Sequence, residues 1–172
     1  MRVINIGAHT VQKYHNPMCA CIGYFDGMHL GHQALVKATV ALAEKHNCES
    51  ALITFEPDPW VTIKGLKDVK HITTMRQRIN RAVELGIQNI IILDFDKEMS
   101  ELSPADFIHK TLAKLNLKGI VCGFDFHYGL HGAGDCNTLK SETDYDVVVV
   151  DAVEDEVGKI SSTRICDAIV QG

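Results

Sequence analysis

The chain has 172 residues, 46% of them hydrophobic and 23% charged, the composition of a globular domain able to bury its own core without disulfide or metal staples. Lys and Arg number 17 against 22 Asp and Glu, a formal net charge of -5 that argues against a general nucleic-acid binder but allows a local basic pocket for a small phosphorylated ligand. The longest aliphatic run, Ile90 to Leu93, is far too short to span a bilayer. The start Met-Arg-Val-Ile-Asn-Ile has no signal-peptide character, and the six cysteines are scattered with no CxxC pair. The expectation is a cytoplasmic protein with reduced thiols and neither a membrane nor a nucleic-acid partner.

In chain order, Cys19 to Ile22 reads as a first buried strand with Cys19 and Cys21 on one face, as small buried side chains rather than a metal pair. A Gly-rich turn follows, then a helix from about Leu30 to His46 with apolar residues at Leu35, Val36, Val40 and Leu42. Ser50 to Phe55 is the next strand. Glu56-Pro57-Asp58-Pro59 then breaks regular structure, and residues 60 to 74 show no period, so about 56 to 74 is expected to be a loop or flap. Met75 to Leu85 reads as a helix closed by Gly86, and Asn89 to Leu93 as a strand. Ser103 caps a helix with Pro104 at its first position, running to about Leu115. Gly119 to Cys122 and Val147 to Val150 are further strands, and the last helix starts near Ser161 or Ser162 and runs to the chain's end. This alternation predicts an α/β domain, a parallel sheet flanked by helices on both faces, with ligands beyond the carboxyl ends of the strands.

The first such end carries Gly23-Tyr24-Phe25-Asp26-Gly27-Met28-His29-Leu30-Gly31-His32. Glycines allow close backbone approach to a ligand, and the N-terminus of the following helix is a ready anion site. His29 and His32 are placed to face one phosphate chain, and protonation near neutral pH would strengthen the contact. Neither GxGxxG nor GxxxxGK[ST] occurs, which disfavours the dinucleotide fold and the P-loop.

The segment resembles the HxGH signature of nucleotidyltransferases, in the flavin-specific form found in the adenylyltransferase half of the bacterial bifunctional riboflavin kinase/FMN adenylyltransferases, or FAD synthetases. Three further segments resemble that family in order. Thr54-Phe55-Glu56-Pro57-Asp58-Pro59 is similar to its TFEPHP motif, and Gly123-Phe124-Asp125-Phe126-His127-Tyr128-Gly129 to its G-x-[DN]-F-x-F-G segment. Ile160-Ser161-Ser162-Thr163-Arg164-Ile165 is similar to its ISSTRIR motif. The resemblance implies a Rossmann-like nucleotidyltransferase fold and AMP transfer from ATP to FMN with Mg²⁺, giving FAD and pyrophosphate. It implies catalytic or phosphate-holding roles for His29, His32, Lys159 and Ser162, and nucleotide contacts from Gly23, Phe25, Asp26, Gly31, Thr163 and Arg164. Flavin contacts are implied for Phe55, Pro57, Asp125, Phe126 and Tyr128, with Asp125 also the metal-side carboxylate.

From the residues themselves, alternatives stay open: Asp26 as a turn residue, Ser162 and Thr163 as caps, Phe126 and Tyr128 as core or pocket. Departures from the pattern are Asp58 for a histidine, which would set a carboxylate near phosphates, Leu130 for a basic residue, and Cys166 for a second arginine. The sequence holds no riboflavin kinase segment, so a single nucleotidyltransferase domain over residues 1 to 172 is expected. Besides the adenylyltransferase, two readings remain: an impaired flavin- or nucleotide-binding relative, and an HxGH transferase with another phosphorylated acceptor.

Overall fold

The computed structural model describes residues 1–67 and 69–171. Six strands form one parallel sheet in the order β1-β4-β3-β2-β5-β8: β1 Arg2–Ile6, β2 Tyr14–Ile22, β3 Glu49–Glu56, β4 Asn89–Asp94, β5 Leu115–Gly123 and β8 Asp146–Val150. Alternation along β2 sends Cys19 and Cys21 to one face and Met18, Ala20 and Ile22 to the other, and all five are essentially fully buried. Both faces therefore need a cover, and each has its own apolar cluster.

Helices α1 (Leu30–Lys45) and α3 (Met75–Glu84) cover the cysteine face with Leu35, Val36, Leu42 and Ala82. The opposite face is covered by α5 (Pro104–Lys110) with Phe107 and Ile108, a 3₁₀ turn carrying Leu112, and α6 (Cys136–Glu142) with Leu139. Short helices α2 (Pro59–Lys64) and α4 (Lys97–Ser100) follow β3 and β4. The hairpins β6–β7 (His127–Tyr128 with Gly134–Asp135) and β9–β10 (Glu154–Asp155 with Gly158–Lys159) lie between the later elements, and α7 (Ser162–Gln171) comes last. Among the described residues no helix is long and apolar enough to cross a membrane.

The five expected strands, the long first helix, the α3 helix and the last helix are all present. The segment expected as a loop or flap contains α2, because Asp58 accepts a hydrogen bond from the Trp60 amide (2.8 Å) and Pro59 suits a first helical position. The helix opened by Ser103 stops at Lys110 rather than near Leu115, which instead begins β5. Asp68, within the expected flap, and Gly172, at the end of the expected last helix, lie outside the described residues.

Ile53 sits fully buried in the middle of β3. Ile53→Ala is expected to lower the unfolding free energy by about 2–5 kcal/mol in urea titrations. A loss below about 1 kcal/mol would show that the core collapses onto the gap.

Candidate functional site

Strand β2 has β3 on one side and β5 on the other, so the chain leaves it in both directions and the carboxyl ends of β2 and β5 part into a crevice. A cleft of about 1300 Å³ opens there, with Gly23 and Gly123 at its floor and His29, Gly31, His32, Asp125 and Lys159 along it. Toward β3 and β4 its lining is apolar and aromatic, with Phe55, Trp60, Ile63, Phe95, Met99 and Phe107. Toward β8 it runs along Val150 to Val153 and Ile160.

The histidine pair owes its geometry to the start of α1. His29 is the N-cap, in extended conformation, and its Nδ1 accepts the His32 amide at 3.4 Å. With Nδ1 occupied as an acceptor, the neutral ring carries its proton on Nε2. The two rings stack, centroids 3.7 Å apart and 21° from parallel, and the edge of Phe25 closes on His32 at 5.2 Å. A side chain at residue 31 would place Cβ 3.1 Å from His29 Cε1, a tight contact that the His29 ring would have to shift by a few tenths of an ångström to relieve. Burial, then the neighbouring His29, pushes the His32 pKa down to about 3. His29 is lowered as well, by burial and then by the Lys159 cation. Both shifts favour the neutral rings in the ligand-free protein, so the pair is placed to offer N–H groups to an anion with little help from protonation near neutral pH. His32 Nδ1 is buried with no hydrogen-bond partner among the described residues.

The turn before them is strained. Phe25 (φ 60°), Gly27 (φ 76°) and Met28 (φ 42°) all occupy the left-handed region, which costs of order 1–3 kcal/mol at each of the two non-glycine positions. Asp26 holds it. Its carboxylate accepts the amides of Ile72 (3.0 Å) and Thr73 (2.9 Å) and the Thr73 hydroxyl (3.0 Å), and pairs with the Arg78 guanidinium at 3.4 Å. Burial opposes ionisation of Asp26, but these amides, the hydroxyl and Arg78 outweigh it and hold the carboxyl below its ordinary range.

Several expected ligand contacts are therefore placed elsewhere. Phe25 is fully buried beneath the histidines and does not line the cleft. The Asp26 carboxylate is spent on the 72–73 segment. The Ser162 hydroxyl donates to the Asp26 carbonyl at 2.8 Å, while its neighbour Ser161 lines the cleft. Arg164 donates to the carbonyls of Gly158 (3.0 Å) and Lys159 (3.3 Å) and to Asp155 (2.6 Å), strapping the β9–β10 hairpin. Thr163 is exposed, and neither it nor Cys166 lines the cleft. Pro57 and Asp58 line a separate cavity of about 390 Å³, so the Asp58 carboxylate caps α2 and faces His71 (3.7 Å) instead of opposing phosphates.

His29, His32, Gly23, Gly31, Asp125, Lys159, Phe55, Phe126 and Tyr128 are brought together in the one cleft. Tyr128 is the more buried of the two aromatics, its hydroxyl donating to Thr138 (3.1 Å), with Phe126 stacked on it at 5.8 Å. Asp125 and Lys159 form an ion pair, and the Lys159 ammonium also lies 4.7 Å over the Phe124 ring. Among the described residues no group of three or more His, Cys, Asp and Glu has metal-site geometry. A hard cation held by one or two carboxylates plus ligand phosphates fits the cleft, because Asp125 and Asp151 both line it. The sequence reading missed Arg78 and the apolar lining at Trp60, Ile63, Phe95, Met99 and Phe107; the signal for Arg78 was its place four residues before Ala82, on the buried face of α3.

The neutral His32 gives a pH prediction. Its ordinary pKa of 6.5 applies to the unfolded chain and about 3 to the fold, so between those values the unfolded state holds the extra proton. That contribution to stability is present above about pH 6.5 and is lost as pH falls, by up to about 1.4 kcal/mol per pH unit. In urea titrations at stepped pH, the stability difference between wild type and His32→Gln should shrink toward acid; a difference that stays constant would contradict a neutral, buried His32.

The FAD synthetase family matches residues 11–164 of the chain. The bifunctional riboflavin kinase/FMN adenylyltransferase of Listeria monocytogenes is 36% identical over 154 residues, covering 88% of this chain and 49% of that protein. Its namesake from Bacillus subtilis is 32% identical over 167 residues, 95% of this chain and 53% of that one. A crystal structure described as a macrolide-efflux protein from Streptococcus pneumoniae superposes with a TM-score of 0.86 at 31% identity, over 99% of this chain and 58% of that one. The chain spans about half the length of the curated relatives it matches. With all four motifs contributing residues to one cleft and the family match running over residues 11–164, the chain belongs to the FAD synthetase family.

Proposed function

We propose that this domain transfers AMP from ATP to FMN, giving FAD and pyrophosphate. The observation that carries the reading is the neutral histidine pair at the N-terminus of α1, set beside the Asp125–Lys159 ion pair in a cleft that turns aromatic at one end. A phosphate oxygen of FMN attacks the α-phosphorus of ATP, the bond from that phosphorus to the bridging oxygen breaks, and pyrophosphate leaves with the electron pair. Such transfer depends on positioning and charge neutralisation more than on covalent chemistry. The Nε2–H of His29 and the free amides of the α1 N-terminus donate to phosphate oxygens. Lys159 leaves Asp125 for the phosphates, and Asp125 is then free for Mg²⁺, which when bound supplies further neutralisation of phosphate charge.

The aromatic lining at Phe55, Trp60, Phe95 and Phe126 suits the isoalloxazine ring, while the β8 side along Val150 to Val153 is left for the nucleotide. Among the implied nucleotide-binding residues, Gly23 and Gly31 keep that role through their backbone; Phe25, Asp26 and Arg164 act by supporting the walls. The substrates are small molecules, and the setting is the cytoplasm, with no nucleic acid or membrane partner.

The test is a reaction of the protein with FMN, ATP and Mg²⁺, separated by chromatography and scored for FAD and pyrophosphate together. His29→Ala is expected to lower turnover about a hundredfold, the usual loss for one electrostatic donor. Folded protein that binds FMN and ATP yet forms neither product would overturn the reading. Trp60→Ala is expected to raise the KM for FMN about tenfold with kcat little changed, the pattern of lost ring stacking. An unchanged KM would remove Trp60 from the flavin end.

A further inference from the structure

Arg78 does not line the cleft, yet its guanidinium makes four hydrogen bonds. It is 3% exposed, an unusual place for a guanidinium, and each of these bonds goes to one of two segments. Toward the turn that carries the histidines, it donates to the Tyr24 carbonyl (3.3 Å), pairs with Asp26 (3.4 Å) and lies 4.2 Å over the Tyr24 ring. Toward the segment before α3, it donates to the Thr73 hydroxyl (3.3 Å) and the Thr73 carbonyl (3.0 Å). The Thr73 hydroxyl in turn accepts the Gly27 amide at 2.9 Å and donates to Asp26.

We propose that Arg78 is a positioning residue for the transfer: its guanidinium ties the strained Tyr24–Met28 turn to residues 72–73, and the turn so held aims His29 and His32 into the cleft. Three observations converge on it. The turn has left-handed φ at Phe25 and Met28 and so does not keep its shape unaided. Asp26, at its centre, is anchored to Ile72 and Thr73, and Thr73 is itself held by Arg78 through its hydroxyl and carbonyl. The Ser162 hydroxyl closes on the Asp26 carbonyl, so the last motif takes its place from the same turn. A planar fork of donors suits such a junction, since it serves two carbonyls, a hydroxyl and a carboxylate from one rigid group. Arg78 does not itself line the cleft, and it meets the lining only at Tyr24 of the turn, so its effect on chemistry passes through the turn.

The inference rests on the adenylyl-transfer reading, and the experiment separates the two. Steady-state kinetics with FMN and ATP on wild type, Arg78→Met and Arg78→Lys are read beside amide hydrogen exchange on the same proteins without substrates. Arg78→Met should lower kcat on the order of a hundredfold, as expected for reacting groups displaced by about an ångström, with the KM for ATP within about threefold of wild type. Arg78→Lys, which keeps the charge and part of the donor set, should recover about tenfold of that loss. The amides of Gly27, Ile72 and Thr73 should exchange faster in Arg78→Met while those of β2 and β3 keep their protection. Thr73→Val, which removes the bridging hydroxyl, should move both readouts the same way and serves if Arg78→Met does not fold. Melting temperature falling with kcat and amide protection unchanged would make Arg78 a stabilising residue only and overturn the inference. Wild-type protein that forms no FAD would overturn the functional reading and the positioning role with it, a result distinct from variants that match an active wild type.

Discussion

One buried carboxylate joins the parts of this domain that matter for its chemistry. Asp26 sits at the tip of the turn after β2, and through its side chain and carbonyl it meets Ile72 and Thr73, Arg78 on α3, and Ser162 at the start of α7. The sheet would form without it, since the strands close on their own apolar faces. The mouth of the cleft would not, because the turn there is in a backbone conformation that needs outside support. An ionised carboxylate with amide, hydroxyl and guanidinium partners is stable in such a place; an unpaired one would not be.

With the turn held, electrostatics at the cleft follow. Two imidazoles stacked over the apolar Phe25 ring disfavour charge on each other, and burial lowers the pKa of both. The positive charge in the cleft is then left to Lys159 and to the amide ends of α1. Lys159 is paired with Asp125, so neither charge stands alone. In the proposed reaction the ammonium exchanges this partner for a phosphate, and this arrangement of N–H donors on a helix start beside a cation on a hairpin suits charge that shifts along a phosphate chain.

The apolar runs of β2, β3, β4, β5 and β8 were legible because strands covered on both faces read as continuous hydrophobic stretches. Strand β1 was not, since Arg2, Val3 and Asn5 are exposed and only Ile4 and Ile6 are buried at the sheet edge. Helix α6 escaped notice as too short for a periodic signal, although Asp135 and Thr138 form a capping box that announces it. That His29 and His32 meet in one cleft was legible from their motif and spacing. The partners of Asp26, Ser162 and Arg164 were not, because the same side chains that bind phosphates also hold turns and strap hairpins. Which they do depends on Thr73, the Asp26 carbonyl and Asp155, partners that no local pattern names. Asp58 shows the same lesson in reverse: a carboxylate that looked out of place beside phosphates is the N-cap of a helix the sequence pattern did not reveal.

The central claim is that the bond broken is the one between the α-phosphorus of ATP and the oxygen bridging to the β-phosphate. It is tested most directly by following radiolabel from ATP marked separately at the α- and γ-phosphorus, with FMN as acceptor. The account predicts α-label in FAD and γ-label in pyrophosphate, in equal amounts. Label from the γ-position in a phosphorylated flavin, or release as orthophosphate without labelled FAD, would contradict it.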